Sequence, residues 1–264
     1  MLTLRCTVLI ALLACSAAAA EAQDMTQYLD LNSEEFTRAD MTRADIEVAI
    51  AKLEAGAVAD LSGKRLNKLD LSGMDLRRVK LQSSRLNGAN LKGADLTGVV
   101  LDQAWALKAD LTGATLAGAS LFSTQLMDAK MDGADLTGAR ITGNFARASM
   151  KGAKFDGADL AADMKNQSMG LMRGAFASAD LSGASFVKAN LARCVLEFAN
   201  LSHANLSGAN LMGAEMSGAN LSSADVTGAN FTEADLNAVK LTGLKGRDQA
   251  NLEKALNLPR AITE

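Results

Sequence analysis

Few side chains in this sequence are suited to chemistry, and those few stand apart. The only histidine, His203, has no second histidine or cysteine near it, so neither a metal site nor an imidazole acid–base pair is spelled out. Cys6 and Cys15 lie in an apolar leader, which leaves Cys194 alone in the body. It occupies a slot most often filled by Ala and reads as a small buried residue, not a reactive thiol. One thiol makes no internal disulfide, so stability has to come from elsewhere. Carboxylates are more numerous: Asp75, Asp95, Asp135, Glu215 and Asp235 recur at one phase, and paired carboxylates can do acid–base work. Trp105, the only tryptophan, is a natural anchor for recognition. What any of these can do depends on the elements that hold them.

The dominant regularity has a period of five. Leu61, Leu66, Leu71, Leu76, Leu81, Leu86, Leu91, Leu96 and Leu101 stand five apart, and the phase continues through Leu111, Leu121, Met131 and Ile141. It returns at Leu171 and runs through Phe176, Leu191, Leu206, Leu221 and Leu236 to Leu241. Two residues before each sits a small one, most often Ala, as at Ala89, Ala94, Ala109, Ala179, Ala204 and Ala234. Asp or Asn stands between them, with Ser or Thr and then Gly after. Five matches neither the helical period nor the strand alternation. It does match a chain that turns a corner every five residues. The bulky and small residues then face inward, the polar residues and Gly stay outside, and Gly eases the bend. Stacked at the ~4.8 Å spacing of paired strands, such sides make a parallel solenoid.

This pattern resembles the pentapeptide-repeat family, whose consensus is A-(D/N)-L-x-x. Ala204-Asn205-Leu206-Ser207-Gly208 and Ala94-Asp95-Leu96-Thr97-Gly98 match it residue for residue, and the resemblance spans about residues 57–243. It implies an all-β fold, a right-handed quadrilateral parallel β-helix with four pentapeptides per coil. About nine coils at ~4.8 Å each would give a rod roughly 45 Å long. Counting four sides per coil puts Asp75, Asp95, Asp135, Glu215 and Asp235 on one outer side. Asp is the consensus residue there, so a solvated face is expected. Lys64, Leu69, Met74 and Val79 replace the inward Ala, which predicts wider or less regular first coils.

Solenoid ends expose unpaired backbone and need caps. Thr42-Arg43-Ala44-Asp45 has the form of a capping box, and Ile46, Ala49, Ile50 and Leu53 follow at amphipathic spacing. This predicts a helix over about 43–55, ended by Gly56 and lying on the first coil. Arg247 to Leu258, with Leu252, Ala255 and Leu256 on one face before Pro259, predicts a second helix, either a cap or a homodimer contact. Upstream, Arg5, the apolar stretch from Cys6 to Cys15 and the small residues Ala17 to Ala20, then Glu21 and Ala22, form an export signal whose apolar run is too short to span a bilayer. Leu12-Leu13-Ala14-Cys15 also resembles a lipobox, the alternative being a lipoprotein anchored through Cys15. The expected division is a signal peptide over 1–22, an N-terminal segment with capping helix over 23–56, the solenoid over 57–243, and a C-terminal capping helix and tail over 244–264.

The breaks in the repeat locate the candidate site. Ile141 to Phe145 and Leu160 to Met164 are each one residue short, and Met164 to Leu171 is two residues long. The four-side count puts Phe145 and Met164 on one side in adjacent coils, with Trp105 two coils earlier. Neutral drift in a tolerant array would produce the same breaks. Read functionally, they mark an interaction face made by Trp105, Asn144, Asp163, Lys165, Asn166 and Gln167. The first coils are basic, with Lys64, Arg65, Lys68, Arg77, Arg78, Lys80 and Arg85, which suits an acidic surface or anionic headgroups if it is more than a solvated face.

The expected function is that of a non-catalytic scaffold of the bacterial cell envelope, periplasmic, with another envelope protein as partner and no cofactor. A net charge of −3 gives no support for nucleic acid, and a membrane enters only through a lipidated Cys15. The alternative comes from the resemblance. Some pentapeptide-repeat proteins resemble B-DNA in size and charge and bind DNA gyrase, conferring quinolone resistance. This chain departs from that type in its export signal and its mixed outer charge. A polysaccharide-cleaving solenoid would need long loops bearing clustered acids, and only one short excursion is present.

Overall fold

A computed structural model describes residues 28–164 and 172–264. Regular strands are few: β1 (Ala59–Asp60) pairs with β2 (Val79–Lys80), and β3 (Ser120–Gln125) with β4 (Arg140–Asn144), both in parallel. Elsewhere each five-residue side contributes a single parallel bridge to the side above it. Two backbone bonds flank each bridge; Leu66 N donates to Arg85 O at 2.6 Å and Arg85 N to Lys64 O at 2.9 Å. The result is a four-sided parallel β-solenoid.

Each corner follows from the pentapeptide. Leu91 O accepts from Ala94 N at 3.0 Å, closing a four-residue turn whose third residue, Gly93, has φ +63°. Positive φ at that position alone defines a type II turn, which favours Gly. Lys68, Ser83, Gln103, Lys108, Arg147 and Phe198 adopt the same conformation, so cooperative stacking tolerates a side chain there. Inside, the bulky and Ala rows are almost wholly buried, from Leu66 and Leu86 to Ala234 and Leu236. Outside, Asn side chains form ladders: Asn190, Asn210, Asn230 and Asn251 each donate Nδ2 to the residue one coil earlier, beginning from Asp159, at 2.8–3.1 Å.

Four ladders run the length of the stack. Side one passes through Arg65, Arg85, Trp105, Gln125, Asn144, Ala175, Val195, Glu215, Asp235 and Leu256. Along it Gln125 pairs with Asn144, nineteen residues on, and Asn144 with Ala175, thirty-one residues on. Two coils thus contain ten residues more than two regular ones. The period of five survives and the period of twenty does not. Two expectations fail for that reason. The rung after Phe145 is Phe176, stacked on it at 4.9 Å, and not Met164, which is off the ladder and 45% exposed. Glu215 and Asp235 share Trp105's side, while the Asp75 side continues through Asp95, Thr115, Asp135, Lys154, Ser185, Asn205 and Asp225 to Lys245.

A helix caps the upstream end, but it stops at Ala51 with Lys52 as its C-cap, short of the expected residue 55 and Gly56. In α2 (Arg43–Ala51), Thr42 and Asp45 form the reciprocal capping box, and Ile46 is fully buried over the first coil. Arg43 donates to Ser72 O at 3.1 Å, and Arg78 to the carbonyls of Ala57 and Glu54, satisfying acceptors that no further coil would reach. A shorter helix, α1 (Glu34–Thr37), precedes it, and Ala39 bridges antiparallel to Leu66, closing the edge of side one. Of the departures in the first coils, Met74 and Val79 are buried, Leu69 is half-buried and Lys64 is exposed. The downstream helix does not form. The chain keeps stacking instead, with Leu256 bridged to Asp235 after a short 3-10 turn at Leu252–Lys254 and Ile262 bridged to Lys240 after a second at Leu258–Arg260. Edge pairing with the last coil satisfies more backbone than a helix lying across it, and Leu256 is left 53% exposed.

Candidate interaction faces

Side one gathers part of the expected face. Trp105, Gln125 and Asn144 are consecutive rungs, so Trp105 and Asn144 stand about 10 Å apart at ~4.8 Å per coil. Trp105 is already engaged. Phe36 of α1 meets it edge-on, with centroids 5.5 Å apart and planes at 67°. Arg85 lies 5.8 Å from the Phe36 ring and pairs with Glu35 at 2.5 Å, and Arg65 pairs with Asp40 at 2.6 Å. Asn67 Nδ2 donates to the carbonyls of Glu35 and Arg38 at 3.1 and 2.8 Å. Residues 31–40 therefore form an acidic strap across the basic first coils. Arg65 and Arg85 are paired with it and are not simply solvated. Hydrogen bonds from Arg65 hold the Asp40 carboxyl below the usual carboxylate range.

Asn144 belongs to the seam, where the coil length changes. It is buried and accepts from Ala146 N at 3.0 Å. One residue earlier, Gly143 packs on the backbone of β3. A Cβ there would lie 2.4 Å from Thr124 O, so the shortened side requires glycine for space and not for φ. Gly174 is similarly confined on the other side of the seam, with Phe176, Leu160 O and Cys194 Sγ about it. Phe145, Phe155, Phe176 and Phe186 form a stacked aromatic interior found only here among the described residues. Cys194 Sγ donates to Leu160 O at 3.1 Å, and burial pushes its thiol far up, so it is unreactive as expected.

Asp163 sits at the corner before Asn144's side, paired with Arg140 at 3.3 Å, and Arg140 also lies over Phe122 at 5.6 Å. Thr142 lines the clefts on both sides of this corner, one containing Asp163 and the other Asn144. Lys165, Asn166 and Gln167 lie outside the described residues. Arg173 makes a double contact with Glu215 at 2.7 and 3.1 Å and a third bond to Arg193 O, a link between residues 42 apart that the repeat does not announce. Gly143, by contrast, was visible as the small residue in a shortened side.

The candidates for chemistry are occupied or isolated. Arg77 bridges Asp75 and Asp95 and holds the Asp75 carboxyl down at about 2, leaving it no proton to give near neutrality. His203 is exposed at a turn position. Among the described residues no three His, Cys, Asp or Glu side chains converge on a metal position, and no helix is long and apolar enough to cross a membrane.

This is a repeat solenoid with polar, internally bonded sides. A family model described as "Pentapeptide repeats (8 copies)" matches residues 59–93, 94–131 and 107–143, and "Pentapeptide repeat region" matches residues 169–245. The chain belongs to the pentapeptide-repeat family. No curated protein matches it. Among solved structures it is similar to HetL, a pentapeptide-repeat protein involved in heterocyst differentiation regulation from the cyanobacterium Nostoc sp. strain PCC 7120. The identity is 28% over 84% of this chain and 97% of that one, with TM-score 0.44. A trypsin-treated variant of QnrB1, a plasmid-mediated fluoroquinolone resistance protein, is 17% identical over 75% of this chain and 89% of its own, with TM-score 0.41. A pentapeptide-repeat protein of the Arabidopsis thaliana thylakoid lumen is 23% identical over 63% and 70%, with TM-score 0.23.

Proposed function

We propose that this chain is a non-catalytic, exported scaffold that binds another protein of the bacterial cell envelope along a side of its rod. The observation that carries this reading is the geometry of the sides. Their Asn and Asp rungs are bonded to one another along the stack and to the corner backbone, which makes a rigid surface ordered before any partner arrives. The seam interrupts that uniformity and is the favoured contact, with Asn144, Asp163 and the neighbouring Lys165, Asn166 and Gln167. Trp105, packed against Phe36, contributes only where the strap is displaced.

The first test is the mass of the mature N-terminus from fractionated cells. A start after Ala20 or Ala22 in the periplasm supports the reading, and a lipidated Cys15 makes the scaffold membrane-tethered. An intact Met1 in the cytosol overturns it. Partner capture by the exported protein should then fall when Asp163→Ala and Asn144→Ala are combined. Capture unchanged in that variant removes the seam from the reading.

A further inference from the structure

One corner of the solenoid carries side chains that the repeat does not call for. The position after each inward residue of side one is a corner outside the Leu and Ala rows, and it is held by polar Asn67, Asn87, Glu197, Ser217 and Asn237 or by small Ala146 and Ala177. At the third and fourth coils it is Leu107 and Met127, 8% and 4% exposed, yet neither belongs to the packed interior of the rod. They lie instead in a cavity of about 360 Å³ between this corner and the strap, which adds Leu31 and Phe36. That volume is at the small end of ligand pockets, roughly 300–1,000 Å³, which pair an apolar lining with a few placed polar groups.

Of the charged groups here three are cationic and one, Asp128, is anionic. Lys68 and Lys108 line the cavity, and among the described residues neither has an ion-pair partner. Arg147 lines it too, bonded to Asp128 at 2.8 and 3.0 Å, so that pair is close to neutral. Asn87 holds the corner in place by accepting from Leu107 N at 3.0 Å. Apolar walls beneath two lysines select a molecule with an apolar body and one anionic end. We propose that this cavity is a binding site for a small amphipathic anion of the medium-chain carboxylate class, with the chain against Leu107, Met127 and Phe36 and the carboxylate at Lys68 and Lys108. A neutral amphiphile would leave the lysines unused, and a cationic one would be repelled.

The position of these residues makes the test clean, because polar or small residues occupy that corner in the other coils and replacing them should not disturb the coils. Calorimetric titration of the full chain with octanoate is expected to show one site, with octanol binding at least tenfold more weakly. Lys68→Gln with Lys108→Gln should weaken octanoate at least tenfold and leave octanol unchanged. Leu107→Ser with Met127→Ser should abolish both while the thermal melt stays in place. Equal affinity for octanoate and octanol, octanoate binding that survives the Leu107→Ser/Met127→Ser change, or no heat at millimolar octanoate would each overturn the assignment.

Discussion

The coils after Phe176 and the seam before it solve the same packing problem by opposite means. From Leu181 to Leu236 the rungs are close variants of one another: mostly Leu or Phe inside, with Met216 and Val226, over Ala, with Cys194 once, Asn bonded to Asn along two of the four sides, and a type II corner between. No single rung is unique, so a substitution is shared by its neighbours. At the seam nothing repeats. Gly143 fits against Thr124, Phe145 stacks on Phe176, and Arg173 reaches Glu215. A repeat array can change coil length only where it gives up averaging for specific fits, and such a place tolerates little.

The largest expected effect follows from Gly143. Gly143→Ala puts a methyl against backbone and should cost about 3 kcal/mol, near the top of the usual range for one substitution. Gly183→Ala, in open space at a positive-φ corner, should cost about 1 kcal/mol. Urea unfolding of the two variants makes the comparison, and equal losses would end the distinction between seam and coil. Next comes the aromatic stack. Phe176→Leu loses two ring contacts and Phe231→Leu loses none recorded among the described residues, so the first should exceed the second by about 1 kcal/mol, the worth of an aromatic pair beyond burial.

Smaller still is a difference in coupling. Asn190→Ala and Asn210→Ala share the ladder bond between them, each costing about 1 kcal/mol, so the double variant should lose less than the two singles predict. Arg173→Ala, at the seam, shares no partner with Asn210, and its effect should add to that of Asn210→Ala. Double-mutant cycles by denaturant melts check both. Additivity within the ladder would show that its rungs act singly.

The same contrast explains what could be read from sequence. The period of five is written in every pentapeptide, so the solenoid and its inward residues were legible down to Cys194 and the Phe positions. The Thr42–Asp45 capping box was legible because it is local. The place of the seam was legible in the short and long spacings between Ile141 and Leu171, but its change of coil length was not, because ten is a whole number of pentapeptides. Counting by fives passes over it, which misplaced Met164, Glu215 and Asp235. The downstream segment has amphipathic spacing, but the open edge of the last coil offers its backbone better partners than a helix supplies. The contact between Phe36 and Trp105 joins a non-repeating strap to the array, and no local signal encodes that pairing. Leu107 and Met127 were visible as apolar residues in a polar slot, and their meaning emerged only with the strap above them.

That strap is a third region, specific like the seam but held by exposed pairs, and it should be the first part to let go. Asp40 accepts hydrogen bonds from Arg65, which lower its folded pKa. A depressed carboxyl stabilises the docked state above its unfolded value of about 3.9 and stops doing so as pH falls through the lower folded value. Acidification below about pH 4 should therefore loosen the strap while the coils persist, and high salt at neutral pH should act in the same direction. Trp105 is the only tryptophan and rests on Phe36, so its emission reports the strap directly. Asp40→Asn should show the acid-state emission already at neutral pH, with little change in the melt of the solenoid. Emission that holds constant until the coils themselves unfold would mean that the strap is one cooperative unit with the first coils. The specific fits at the two places would then differ in strength but not in kind.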